Sequence, residues 1–254
     1  MQLNSLYLEE LKNKFKIIKE KGTIKSNRSH NTGIGKTFED LLGKKEDNIA
    51  GPDYGDIEIK TQRALSNSFV TLFTKSPDYP KKANTYLREN FGVSNSDSNN
   101  LKILHTSLFG NSYNTFLSTY GFKAKVNRCE EKIYISIINL VTNELLSELV
   151  YYSFSTLKRK LDTKLKNLAY ISANSSSING QEYFQYTNIK FYYNPSFEKF
   201  LELIENGKIM IDIRIGVYHN PENTKTYGKT HDHGTGFRIK ESDLPTLYEG
   251  ILIE

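Results

Sequence analysis

The sequence predicts a mixed α/β fold in one or two lobes, on three observations. Apolar residues recur at helical spacing in MQLNSLYLEELKNKFKIIKEKG, which reads as an amphipathic helix over residues 3–20. They alternate at period two in DIEIK (56–60) and KIMIDIRIGVY (208–218), which read as strands with one face toward a core. A chain of 254 residues can bury a full core, and it fits either one large domain or one domain with two lobes.

The elements follow in order. After the first helix comes a basic polar loop, KGTIKSNRSHNTG, and then a helix beginning near Gly35, carrying FEDLLG and ending at Gly43. The strand with Glu58 and Lys60 follows, and FVTLF (69–73) is expected to pair with it. KIYISIINLV (132–141) reads as a strand, and YSFSTLKRKLDTKLKN as a helix whose Leu157, Leu161, Leu165 and Leu168 form one stripe. LAYISA reads as a buried strand, NSSSING (174–180) as a loop and lobe junction, 183–193 as a strand and 196–206 as a helix. No internal repeat is visible.

Composition narrows the function classes. The chain has 37% hydrophobic residues and no apolar run long enough to span a bilayer, and its N-terminus does not read as a signal peptide; a cytoplasmic protein is expected. The single Cys129 excludes a disulfide framework and a cysteine-based zinc finger. Net charge is +5, from 34 basic and 29 acidic residues, which permits a nucleic-acid partner without requiring one.

In GPDYGDIEIK (51–60) the alternation sends Ile57 and Ile59 to the core and Asp56, Glu58 and Lys60 to the other face. That face alone reads as a solvated strand surface. Asp53, however, lies five residues before Glu58 in a Pro-Asp-Tyr-Gly turn signal that can swing its carboxylate back beside the strand. Two carboxylates and an ammonium then converge. Hard oxygen ligands suit Mg²⁺, which takes one or two carboxylates plus a substrate phosphate, and a lysine beside it orients or helps to deprotonate a water. The set has the parts for phosphodiester hydrolysis.

The late strand repeats the pattern. Met210, Asp212 and Arg214 face away from Ile209, Ile211, Ile213, Ile215 and Val217, and lead into His219 and the segment KTYGKTHDHGTGFRIK (225–240). Adjacent opposite charges commonly pair with each other, and a basic segment is commonly a solvated loop. Arginine, though, reads guanine through two parallel hydrogen bonds, aspartate accepts from the cytosine amino group, and His or Lys donates to guanine N7 or O6. The set suits G·C pairs. NTGIGKT imitates a phosphate-binding loop, but the glycine required five positions before Gly35 is His30, so that reading fails. HDH (231–233) with His219 is also a zinc-ligand pattern, which leaves Arg214 unexplained.

NTGIGKTFEDLLGKKEDNIAGPDYGDIEIKTQ, TLFTKSP, ANTYLR, LDTKLKNLAYISA, ENGKIMIDIRIGVYH and GKTHDHGTGFRI together resemble the MvaI/BcnI family of type II restriction endonucleases, its MvaI branch especially. The blocks stand in family order from about residue 30 to residue 239. The resemblance implies a PD-(D/E)XK core of the MutH type, with a catalytic lobe (about 1–175) and a DNA-recognition lobe (about 176–254) around a DNA cleft. It implies that Asp53 and Glu58 bind the metal, that Lys60 is the catalytic lysine, and that Glu39 is an acid supporting the site.

On the same basis Asp212, Arg214, His219, His231, His233 and Arg238 belong to the region that reads bases, and Lys229 and Thr230 contact phosphates. Asp56 matches no catalytic position, and Gln62 departs from the histidine of MvaI-like members. The implied substrate is double-stranded DNA with a short pseudo-palindromic site, CCWGG cut after the first C, nicked one strand at a time by a monomer. The implied cofactor is Mg²⁺, with Mn²⁺ as a substitute and Ca²⁺ binding without cleavage. A cytosine methyltransferase is the functional partner, without a stable complex, in a bacterial cytoplasm. A MutH-like repair nickase and a non-catalytic DNA-binding module remain the alternatives.

Overall fold

The computed structural model describes residues 6–28, 30, 32–43, 51–64 and 68–253. In chain order the helices are α1 (Leu6–Glu20), α2 (Gly33–Leu41), α3 (Ala83–Phe91), α4 (Phe154–Lys164), α5 (Phe197–Glu205) and α6 (Leu244–Leu247). The strands are β1 (Ile24–Lys25), β2 (Ile57–Arg63), β3 (Val70–Thr74), β4 (Val93–Ser94), β5 (Lys102–Leu108), β6 (Tyr120–Asn127), β7 (Lys132–Asn139), β8 (Leu145–Ser147) and β9 (Tyr151–Ser153). They continue with β10 (Asn167–Ile178), β11 (Gln181–Pro195), β12 (Ile209–Val217), β13 (Thr230–Asp232), β14 (Gly236–Ile239) and β15 (Tyr248–Ile253). The fold is mixed α/β, as the hydrophobic periodicities require. No helix among the described residues is long and apolar enough to cross a membrane.

The chain forms two compact units, and neither is contiguous. The first comprises residues 1–70, 160–196 and 244–254; the second comprises 71–159 and 197–243. The contiguous division expected at residue 175 is therefore not the division in space. Its physical reason is the β10–β11 pair, an antiparallel ladder that runs unbroken from Asn167↔Tyr193 to Ile178↔Gln181 apart from one register shift. NSSSING is not a junction: most of it extends β10, and only Asn179 and Gly180, both at positive φ, make the turn.

In the first unit the sheet order is β1-β11-β10-β2, with β15 also on β11. β2 runs parallel to β10, Glu58 opposite Leu168 and Lys60 opposite Tyr170. FVTLF, expected beside β2, instead forms β3 in another sheet, next to β14. The expected helix stripe also shortens: α4 ends at Lys164, and Leu168 already belongs to β10. On α1 the buried side chains are Leu8, Leu11, Phe15 and Ile18, one face of the helix, as the sequence pattern predicts; residues 3–5 of that expected helix lie outside the described residues. These side chains join Ile34, Phe38, Ile57, Ile59, Ile171 and Phe184 in one core, and each large apolar side chain so buried contributes about 1.5–3 kcal/mol.

The second unit holds two sheets. One has the order β3-β14-β12-β5-β4 with β13 on β12, and the other β6-β7-β8 with β9 on β7. β12 lies between β5 and β14 and is buried along nearly its whole length; Arg214 alone on it is exposed.

Candidate active site

The turn before β2 builds the first site. Tyr54 and Ile57 exchange two backbone hydrogen bonds, at 2.8 and 2.9 Å, around Gly55 at φ +58. That tight reversal returns the chain beside its own start, and Asp53 Oδ2 accepts the Ile59 N–H at 3.1 Å. The expected swing of Asp53 back to the strand is thus present. Ile57 and Ile59 enter the core. Glu58, on the opposite face, is also buried, with a side chain only 1% exposed. Asp56 accepts from Asn167 at 2.8 Å, and Gln62 holds Tyr170 and Ser68, so both serve the local fold.

Glu58 is held at one oxygen and open at the other. Oε1 accepts from Lys60 Nζ at 2.5 Å and lies 3.4 Å from Lys164 Nζ. Oε2 is buried with no hydrogen-bond partner. Burial pushes the Glu58 carboxyl above its usual range, against the pull of Lys60, and the nearby Asp53 charge adds to the rise. A buried carboxylate oxygen without a donor is costly. A small hard cation beside Asp53 and Glu58 removes that cost, and two carboxylates suit an ion that completes its shell with waters and phosphate. Among the described residues no three His, Cys, Asp or Glu side chains gather at one point.

Two further groups frame this site. α2 lies against β2; a Cβ on Gly35 would stand only 3.3 Å from Thr61 Oγ1. Glu39 is four residues on, on the same helix face, and half-buried. Lys164 was not anticipated. It ends α4, and the short link to β10 sets it above the start of β2, since Asn167 pairs with Ile57. Its sequence signal, a lysine in a helical last turn, reads as an ordinary dipole partner.

In the second unit β12 organises another polar group. Asp212 lies opposite Ser107 and Arg214 opposite His105 across the β5 ladder. Asp212 is 1% exposed; its oxygens accept from Ser107 Oγ at 2.7 Å and Arg214 Nε at 2.8 Å. Arg238 Nε is 3.0 Å from the same Oδ2, but its N–H is not aimed there and makes no hydrogen bond, so this contact is ionic. Asp212, expected to accept from a base, is enclosed here beside two guanidinium groups. Arg214, engaged through Nε, keeps its side chain 45% exposed.

The histidines line up alongside. The His231 ring stacks on Tyr218 at 4.4 Å and meets the His233 ring at 4.3 Å. His105 faces His233 at 6.3 Å. Burial, then the neighbouring Arg214 and His233 charges, push the His105 imidazole below its usual range; burial and His231 do the same to His233. His219 is exposed and caps the end of β12, where its carbonyl accepts from Asn99. Lys229 is exposed, and Thr230 shares a 2.8 Å hydrogen bond with Thr85. His105 and Ser107 escaped the sequence reading although they alternate with the buried Leu104, Thr106 and Leu108.

The sequence matches the model of the MvaI/BcnI restriction endonuclease family over residues 12–248. The chain belongs to that family. It is a type II restriction endonuclease of the MvaI/BcnI kind by descent, and the solved structures agree. The chain is similar to the restriction endonuclease MvaI in complex with its cognate DNA substrate, at 40% identity and TM-score 0.88, with 98% of each chain covered. It is also similar to MvaI in the absence of DNA, at 39% identity and TM-score 0.66, with 100% of this chain and 99% of that chain covered. No curated protein matches.

Proposed function

We propose that the protein hydrolyses double-stranded DNA at a short pseudo-palindromic G·C-rich site, CCWGG cut after the first C, as a Mg²⁺-dependent monomer nicking one strand at a time. The observation that carries the reading is Glu58: a buried carboxylate with Lys60 on one oxygen and no donor on the other. The first unit takes the role of a PD-(D/E)XK core of MutH type, and the second unit the role of base reader.

Asp53 and Glu58 would hold the cation, which when bound would neutralise charge at the phosphate and acidify a water. Lys60 orients the attacking water; its oxygen bonds to phosphorus as the in-line P–O3′ bond breaks, one proton goes to solvent and one to the 3′ oxygen, and a 5′-phosphate and a 3′-hydroxyl result. Glu39 steadies the water network. Arg214 and Arg238 donate to guanine, oriented by Asp212, and His231 and His233 complete the reading face. His219 borders that face, and Lys229 and Thr230 meet phosphates. Such an enzyme belongs in a bacterial cytoplasm beside a cytosine methyltransferase that protects host DNA.

The test is incubation of the purified chain with unmethylated plasmid of known sequence, with and without Mg²⁺, followed by end mapping. Discrete Mg²⁺-dependent breaks at CCWGG are expected. Breaks elsewhere would replace the site, and intact plasmid with folded protein would remove the reading.

A further inference from the structure

Asp232 lies between the two histidines of the HDH segment and ends β13, where strand alternation turns its side chain away from that of His231. Its carboxylate collects donors from three places. Oδ1 accepts the backbone N–H groups of Gly234 at 2.9 Å and Thr235 at 2.6 Å. Oδ2 accepts from Asn84 Nδ2 on α3 at 2.8 Å and from Ser76 Oγ at 3.0 Å. The first pair is a local turn, such as an aspartate commonly makes. The second pair is not local: it fastens the β13–β14 turn to α3 and to the segment after β3.

The tether continues on either side. Thr85, next to Asn84, bonds Thr230, and Lys75 N–H, next to Ser76, donates to the Thr235 carbonyl at 3.0 Å. Thr235 Oγ1 in turn accepts the Arg214 N–H at 3.1 Å, and His233 N–H donates to the Arg214 carbonyl at 2.8 Å. Burial alone would raise the Asp232 carboxyl, but the Thr235, Gly234 and Ser76 donors bring it below its usual range. All four partners donate to Asp232. An asparagine keeps an acceptor for the backbone pair and turns its NH₂ toward Ser76 and Asn84, which can rotate and flip to accept, whereas an alanine removes both sets of bonds.

We propose that Asp232 is the positioning residue of the reading face: by tying its turn to α3 it fixes where His231 and His233 stand beside Arg214. This rests on the reading that these side chains meet DNA bases. Asp232 itself touches no base; it acts through the turn.

Two variants separate the tether from the local turn. Asp232→Ala removes both, whereas Asn84→Ala removes one long-range donor and leaves the backbone pair intact. In both, cleavage efficiency at the site mapped for the unaltered protein is expected to fall, by about 10- to 100-fold for Asp232→Ala. Affinity for a duplex lacking the site, measured in Ca²⁺, should change by less than about twofold. The histidine ring NMR signals of His231 and His233 should shift in the DNA-free variants, with His30 as the unmoved reference. Unshifted ring signals, or equal loss on both duplexes, would overturn the proposal. The ring signals are read without DNA, so a failure of the nuclease reading itself would register separately, as an unaltered protein that cuts nothing.

Discussion

Lys164 Nζ stands 3.4 Å from Glu58 Oε1, the same oxygen that accepts from Lys60 at 2.5 Å. On the proposed mechanism, in which Lys60 orients the attacking water, Lys164 would remain as the counter-ion that keeps Glu58 charged and oriented.

Lys164→Met should therefore slow cleavage about 100-fold, the loss typical of one well-placed electrostatic group. DNA affinity in Ca²⁺ should change less than about 3-fold, the scale of one phosphate contact. Single-turnover rates and equilibrium binding on the same duplex check the split, and Lys164→Arg should recover part of the rate. Loss confined to affinity would make Lys164 a phosphate contact instead.

Glu58→Gln should abolish cleavage and yet stabilise the metal-free protein. The folded carboxyl titrates above its unfolded value because it is buried. Its protonated form therefore favours the folded state, and that advantage is lost as pH rises through the raised value. At neutral pH the neutral amide should add about 0.5–2 kcal/mol, the usual gain when a strained functional group is removed. On acidification below the ordinary carboxylate range the difference should vanish. Thermal melts of both proteins across pH, in chelator, decide it; a variant less stable at neutral pH would show that the two lysines outweigh burial.

Gly216 offers a steric test of the reading face. A Cβ there would come 2.2 Å from His233 Nε2, closer than any real contact. The ring is the movable partner, so Gly216→Ala should displace His233 and leave the β12 core in place. Cleavage at the mapped site should drop more than about 10-fold with the melting temperature within a few degrees. Unaltered site preference would mean that His233 does not read bases from this position.

Much of this was legible in the sequence, and the misses have physical causes. Period two in DIEIK correctly sent Ile57 and Ile59 inward, but periodicity assigns only faces; it did not show that the opposite face at Glu58 is also enclosed. The Asp53 turn was readable because Pro, Gly and Asp have local conformational preferences. Lys164, His105 and Ser107 were not, since each joins its site through strand register over a long sequence separation: Asn167 against Ile57, His105 against Arg214, Ser107 against Asp212. FVTLF was misplaced for the same reason, since local pattern names a strand and not its partner. The division of the chain failed where a serine-rich stretch imitated a loop while its backbone continued a ladder.

Arg214 and Asp212 supply the last prediction. Arg214→Ala should cost about 1–3 kcal/mol of base discrimination, one bidentate contact to guanine. Asp212→Asn removes no base contact, yet it takes the charge from a buried group that holds Ser107, Arg214 and Arg238, so a comparable loss should follow. If Asp212 acts only through the arginines, the two substitutions are not independent. The double variant should then discriminate little worse than Asp212→Asn alone. Cleavage rates on duplexes substituted at each base pair in turn measure this directly. Strict additivity would mean that Asp212 contributes by a separate route, and the enclosed carboxylate would then have to be exposed when DNA is bound.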